Sequence, residues 1–163
     1  MIKAIDALET ERLVLRGIEE TDTDSIVEWR SNPQVYCYFR SPHKITDREH
    51  LEWYYHNYLE DDNKFNWVCI EKKTNKKVGL FALKKSGKKT EISYLLAPDA
   101  QHKGFATEVL QKLIDYAYEK LQSEYVYAEI HKDNLSSVNL VERLGFKLIS
   151  EENNFQTYSK KTD

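Results

Sequence analysis

The chain has 163 residues, 40% hydrophobic and 31% charged, with a formal net charge of −3. That is a folded, globular composition for one domain (1–163), able to bury roughly 70% of its unfolded surface. It excludes a disordered tail, a fibrous repeat and a bulk electrostatic pull towards nucleic acid.

The elements alternate along the chain. Leu13–Gly17 alternates apolar and polar residues and reads as a strand. Residues 21–30 open on capping residues and acids and carry Ile26, Val27 and Trp29, which predicts a helix broken by Ser31-Asn32-Pro33. Residues 46–59 predict a second helix, with Thr46 and Glu49 at the capping-box spacing. Residues 65–70, 78–83 and 91–96 read as an antiparallel meander joined by Lys-rich turns at 72–77 and 84–89. From 105 to 121 the period changes: Phe105, Val109, Leu110, Leu113, Ile114, Ala117 and Leu121 form an i, i+3, i+4, i+7 stripe. A strand at 125–130, a helix at 135–144 stopped by Gly145, and short strands at 146–149 and 155–159 complete an α/β arrangement with a mixed sheet.

No stretch approaches the about 20 apolar residues of a membrane helix, and residues 1–13 lack the apolar run of a leader. Cys37 and Cys69 form no CxxC motif and cannot complete a zinc site, so no metal is expected. They read as free thiols in a reducing, cytoplasmic compartment. HExxH, the phosphate-binding GxxxxGK[ST] loop and GxSxG are missing from the sequence.

The segment with chemical content is 91–107, EISYLLAPDAQHKGFAT. A strand ending at Pro98 feeds the long helix through a small-residue turn at Gly104. Such a junction leaves unpaired backbone N–H groups at the positive end of the helix dipole, a ready site for a pyrophosphate. On the residues alone an ordinary helix start remains equally open. Gln101-His102-Lys103-Gly104-Phe105-Ala106 resembles the Q/R-x-x-G-x-G/A motif of the GNAT superfamily of acyl-CoA-dependent N-acyltransferases. Asn134-Leu135-Ser136-Ser137, leading to Leu144-Gly145-Phe146, resembles its second motif, N-x-x-S ending in LGF. Glu9-Thr10-Glu11-Arg12-Leu13-Val14-Leu15-Arg16 resembles the opening of the ribosomal-protein N-terminal acetyltransferase-like branch.

The resemblance implies a mixed, mostly antiparallel central sheet flanked by about four helices, and acetyl-CoA as co-substrate. It implies pyrophosphate on the amides from His102 to Thr107, with Gln101, Lys103, Gly104, Phe105 and Ala106 in the turn. It implies a pantetheine arm along Leu95 and Leu96 and near Asn134. Acetyl transfer to an amine needs a base and a proton for the departing thiolate. Glu91 is the candidate base: it starts the strand and shares a face with Ser93 and Leu95 at period 2. Many superfamily members carry a Tyr acid three residues before the Leu of LGF; here that position is Val141, so Ser137 is the candidate acid.

The acceptor is expected between the first two helices and the sheet, beside Trp29, Arg30, Tyr36, Phe39, Arg40 and His43. His43, His50, His56 and His131 read as surface residues, His102 as part of the phosphate turn, and Trp53, Tyr54, Tyr55 and Tyr58 as core. The implied acceptor is a small-molecule or peptide amine, in a monomer or homodimer that binds neither nucleic acid nor membrane. The run from Trp29 to Tyr55 resembles, more loosely, acyltransferases of nucleotide-linked amino sugars, and a CoA-binding regulatory protein with weak catalysis is the remaining alternative. Charge is uneven: Lys72, Lys73, Lys76, Lys77, Lys84, Lys85, Lys88 and Lys89 gather in two turns. Glu19, Glu20, Asp22, Asp24 and Glu28 gather at the first helix, a distribution that fits a cationic acceptor and equally a solvated helix face.

Overall fold

Alternation builds the sheet. In β2 (Leu13–Gly17), Leu13 and Leu15 are fully buried while Val14 and Arg16 stay partly open, as a period of two requires. The computed structural model describes residues 3–163; Met1 and Ile2, where the stretch read for a leader begins, lie outside the described residues. Eight strands form one sheet: β1 (Leu8–Glu9), β2, β3 (Lys64–Glu71), β4 (Lys77–Ser86), β5 (Lys89–Leu96), β6 (Tyr125–His131), β7 (Lys147–Glu152) and β8 (Phe155–Lys161). Their order is β1-β2-β3-β4-β5-β6-β8-β7, and among the described residues β5–β6 is the single parallel pairing. Five helices accompany them: α1 (Thr23–Arg30), α2 (Pro33–Tyr36), α3 (Asp47–Trp53), α4 (Phe105–Glu119) and α5 (Leu135–Arg143). The expected mixed, mostly antiparallel α/β sheet is therefore present.

Two faces follow from the register. Trp67, Phe81 and Tyr94 stand opposite one another on β3, β4 and β5, and Trp67 meets Tyr116 of α4 edge-on at 5.6 Å. The apolar stripe of α4 is buried on this side, each fully buried Leu or Phe contributing about 1.5–3 kcal/mol. The other face presents Asn66, Ala82 and Ser93 in register, under α1 and α3. Gly79 lets β4 and β5 approach: a Cβ there would lie 2.5 Å from the Leu95 carbonyl oxygen.

Several boundaries depart from the sequence reading. The first helix begins as a 3-10 turn, Glu20–Asp22, before α1. Asp22 is not a solvated capping acid. It is fully buried and takes both Arg16 guanidinium nitrogens at 2.9 Å and Lys77 Nζ at 2.6 Å, bolting the start of α1 to β2 and β4. Burial alone would raise its carboxyl, but these cations and the Glu19 backbone N–H hold it below the ordinary value.

After the predicted break, Asn32 Oδ1 accepts from Gln34 N at 2.9 Å and starts α2, a short helix beyond the expected four. The Thr46–Glu49 capping box forms, while the last turn of that helix widens into a π-turn at Tyr54–Tyr58. The expected Lys-rich turn at 84–89 contracts to Gly87-Lys88, because β4 runs on to Ser86 and pairs with Lys89. Gly87 takes the left-handed φ of +63° this tight loop needs. Asn153 and Asn154, at φ 52° and 71°, make the equivalent hairpin between β7 and β8. The lysines are not one free cluster either: Lys72, Lys76, Lys77 and Lys88 pair with Glu9, Asp99, Asp22 and Glu124.

Candidate active site

β5 and β6 run parallel but pair only through Lys89↔Tyr125, Thr90↔Val126 and Glu91↔Tyr127. Beyond Glu91 they diverge, β5 following β4 to Leu96 and β6 following β8 to His131. The wedge opens into a cleft of about 900 Å³. Leu95, Leu96, Gln101, His102, Gly104, Phe105, Ala106, Thr107, Asn134 and Ser137 all line it, as does Glu91. Of the expected cofactor residues only Lys103 does not; its carbonyl accepts from Arg12 Nη1 at 2.9 Å.

The turn before α4 is built from backbone. His102 and Gly104 sit at φ 62° and 81°, and no side chain caps the helix. The first-turn amides of α4 are therefore left for a ligand, at the positive end of a 15-residue helix. Arg12, which sequence reasoning did not place in the site, clamps the outside of this turn. Its Nε pairs with Glu108 at 2.8 Å, and its guanidinium lies 4.6 Å from the Phe105 ring centre. Gln101 Nε2 reaches back to the Leu96 carbonyl at 3.4 Å, tying the turn to the end of β5.

Alternation along β5 separates two chemistries. Glu91, Ser93 and Leu95 share the face towards α1 and α3. Tyr94 projects to the other side, where its hydroxyl lies 2.9 Å from Ser137 Oγ. Burial raises the Glu91 carboxyl above its ordinary value. Neighbouring Glu129 raises it further, against smaller opposite effects of Lys84 and Arg40. Arg40 Nη2 pairs with Glu129 at 2.5 Å at the rim. Ser137 does not spend its hydroxyl on the helix backbone; its N–H is the group engaged there, donating to Asn134 Oδ1 at 3.4 Å. Burial raises the Tyr94 phenol, and the Ser137 contact partly offsets this. Val141 is buried in the core.

A second pocket, of about 240 Å³, shares Phe39, Ser93, Tyr94 and Leu95 with the cleft and extends beneath α1 and α3. Arg30 and Phe39 line it, and Phe39 and Arg40 line the main cleft. Trp29, Tyr36 and His43 line neither. Trp29 is core, and exposed His43 holds the Ser41 carbonyl at 2.7 Å. His50, expected at the surface, is only 2% exposed and lines the second pocket. Tyr54 and Tyr58 are core as read, whereas Trp53 borders the pocket and Tyr55 is exposed. Among the described residues no cluster of His, Cys, Asp and Glu could hold a metal, and no helix is long and apolar enough to cross a membrane.

Comparison with known proteins places this geometry. The acetyltransferase (GNAT) domain family matches residues 12–147. An uncharacterized N-acetyltransferase, p20, from Bacillus licheniformis is 31% identical over 151 residues, 88% of this chain and 83% of that one. The fold matches a domain from Methanocaldococcus jannaschii with a TM-score of 0.83 at 22% identity, over 96% of this chain and 100% of the other. It also matches spermidine N-acetyltransferase from Vibrio cholerae, solved in complex with CoA and spermine. There the TM-score is 0.78 at 23% identity, over 91% and 93% of the two chains. The family match covers most of the sequence, and a relative named as an N-acetyltransferase is 31% identical over 88% of it: the chain belongs to the GNAT acetyltransferase family and is an N-acetyltransferase.

Proposed function

We propose that the chain moves an acetyl group from acetyl-CoA directly to a primary amine, with both substrates bound at once. The observation that carries this reading is the splay of β5 from β6. It opens one cleft onto unpaired α4 amides at one end and onto Glu91 and Ser137 further along. The amides of residues 102–107 receive the pyrophosphate, and the free edge of β5 at Leu95 and Leu96 receives the pantetheine arm. A neutral amine approaches from the Glu91 face. The C–N bond forms as the C–S bond breaks, the amine proton passes to Glu91, directly or through a water, and the thiolate takes a proton from Ser137, which regains one from solvent in the same event. Positioning supplies most of the acceleration and proton transfer about 10²–10⁴-fold.

The acceptor panel follows from the similarities: polyamines from the spermidine N-acetyltransferase likeness, and protein N-termini from the Glu9–Arg16 opening. Nucleotide-linked amino sugars join them from the Trp29–Tyr55 run. Thiol release from acetyl-CoA across that panel tests the function. Tight CoA binding with no thiol release for any amine would replace it with the regulatory reading. Failure of CoA to raise the melting temperature would remove the cofactor site altogether.

A further inference from the structure

The second pocket holds an unusual set of polar groups. His50 is only 2% exposed, and neither of its ring nitrogens has a hydrogen-bond partner among the described residues. An unpartnered buried polar side chain costs about 1–3 kcal/mol, so its retention asks for a use. Arg30 is half-buried at the same pocket. Its recorded neighbours are the Phe39 ring, 5.8 Å from the guanidinium carbon, and the field of Glu49, whose carboxylate is engaged by the Thr46 cap. Among the described residues the guanidinium has no ion pair within 4 Å. Asn66 is buried, with its backbone taken by Tyr58 and Ile18, and its side-chain amide is unpaired among the described residues. Ser93 completes the set, beside the strand position facing the reaction.

Arg30 brings only donors and a fixed positive charge, while His50, Asn66 and Ser93 can each donate or accept. The remaining walls are apolar: Ile26, Trp53, Leu80 and Ala82. One guanidinium in an apolar pocket suits a single planar negative charge, which a fork of N–H donors grips bidentately. It opposes a second positive charge, as a polyamine would bring. The pocket adjoins the main cleft, with which it shares Phe39, Ser93 and Leu95, and Ser93 and Leu95 lie on the same face of β5 as Glu91, so a ligand anchored there is placed to direct its amine towards Glu91.

We propose that this pocket is the carboxylate subsite of the acceptor, which makes the acceptor an amine that carries a carboxylate and not a polyamine. The inference rests on the acetyl-transfer reading above and narrows its acceptor. The carboxylate belongs either to a free amino acid or to an acidic side chain of a short peptide, and the test separates the two.

The experiment uses the whole chain with saturating acetyl-CoA and compares matched acceptors by thiol release. The pairs are free amino acids against their amides and acidic dipeptide amides against their neutral isosteres, with spermidine alongside. A kcat/KM at least tenfold higher for the carboxylate member of either pair is expected, and the pair that shows it identifies the source. Arg30→Met should bring that pair to parity by raising KM of the carboxylate member with little change in kcat. The melting-temperature increase given by CoA should be retained, which shows that fold and cofactor cleft survive. Preference for spermidine or for the uncharged members, or a ratio untouched by Arg30→Met, overturns the subsite. If that variant does not fold, the ratio measured on the unaltered chain decides alone. If no amine is turned over, the acetyl-transfer reading fails separately. Calorimetric binding of each pair to the CoA-bound chain then decides the subsite, by preference or indifference to the carboxylate.

Discussion

The two walls of the site are made of different material. The wall assigned to the cofactor is backbone: the amides at the start of α4, the free edge of β5 and two residues with left-handed φ. The wall assigned to the acceptor is side chain: Arg30, His50 and Asn66, brought together from α1, α3 and β3. A backbone wall accepts one invariant ligand and tolerates much sequence change around it. A side-chain wall takes its specificity from a few replaceable groups, so one fold can serve many amines. Glu91 stands where the two walls meet, and replacing it should have the largest effect. Glu91→Gln should lower kcat by about 10²–10⁴-fold while leaving the Kd of acetyl-CoA unchanged. The raised carboxyl also predicts an acid-side limb in the pH profile of kcat, because the base works only when deprotonated. Its midpoint should lie above the ordinary glutamate value of about 4.3, and the limb should vanish in the variant. Full activity at every pH would move the base elsewhere.

The acceptor wall depends on charge for its stability as well as its specificity. Asp22 holds α1 against the sheet through Arg16 and Lys77, and α1 carries Arg30. Asp22→Asn leaves two half-buried cations without their anion and should cost about 3 kcal/mol of unfolding free energy. The sign with pH follows from the lowered carboxyl. Its contribution is present above the unfolded value of about 3.9 and is lost as pH falls through the folded one. The gap between the two proteins in denaturant melts should therefore be full at neutral pH and close in acid below about pH 4. A gap that persists there would assign the loss to packing.

The cofactor wall should break at one backbone angle. Gly104 has φ +81°, and a side chain there points towards Arg12, whose Nη2 would be 3.4 Å from the new Cβ. Gly104→Val forces a β-branched residue into the left-handed region, a cost of about 1–3 kcal/mol. It should weaken acetyl-CoA binding by about tenfold or more, while the strain itself lowers the melting temperature by about 2–4 °C per kcal/mol and leaves the chain folded. Equal affinity by calorimetry would detach the pyrophosphate from this turn.

The same contrast explains what could be read in advance. The α4 stripe, the meander and the turn at Gly104 are local patterns, and local patterns are written in consecutive residues. The Arg30–His50 pocket has no such signature. His50 reads as a surface residue because it sits among the charged residues Asp47, Arg48, Glu49 and Glu52, and only the docking of α3 on the sheet buries it. Asp22 misled for the same reason: a capping-type acid at a helix start is usually solvated, and its partners lie 6 residues away in β2 and across the sheet in β4. The strand reading stops short where lysines occupy the ends of β4: Lys84 and Lys85 pair with Glu91 and Thr90 of β5, and Lys77 reaches Asp22. The split of β5 into a Glu91 face and a Tyr94 face was half legible. Period two places Glu91 with Ser93 and Leu95, but nothing in the sequence shows that Tyr94 meets a serine 43 residues on.

That meeting gives the smallest expected effect and the finest test of the comparison. Val141 occupies the position where the resemblance implies a tyrosine acid, and the Tyr94–Ser137 pair stands on the cofactor side of β5. If Ser137 delivers the proton, Ser137→Ala should lower kcat by about tenfold with acetyl-CoA binding intact. Tyr94→Phe, which removes one neutral hydrogen bond worth about 1 kcal/mol and keeps the ring against Phe81, should lower kcat only severalfold. In the double variant the losses should fall short of additive, because the phenol acts through the serine. Additive losses would separate the two groups, and a tenfold loss confined to Tyr94→Phe would make the phenol itself the donor.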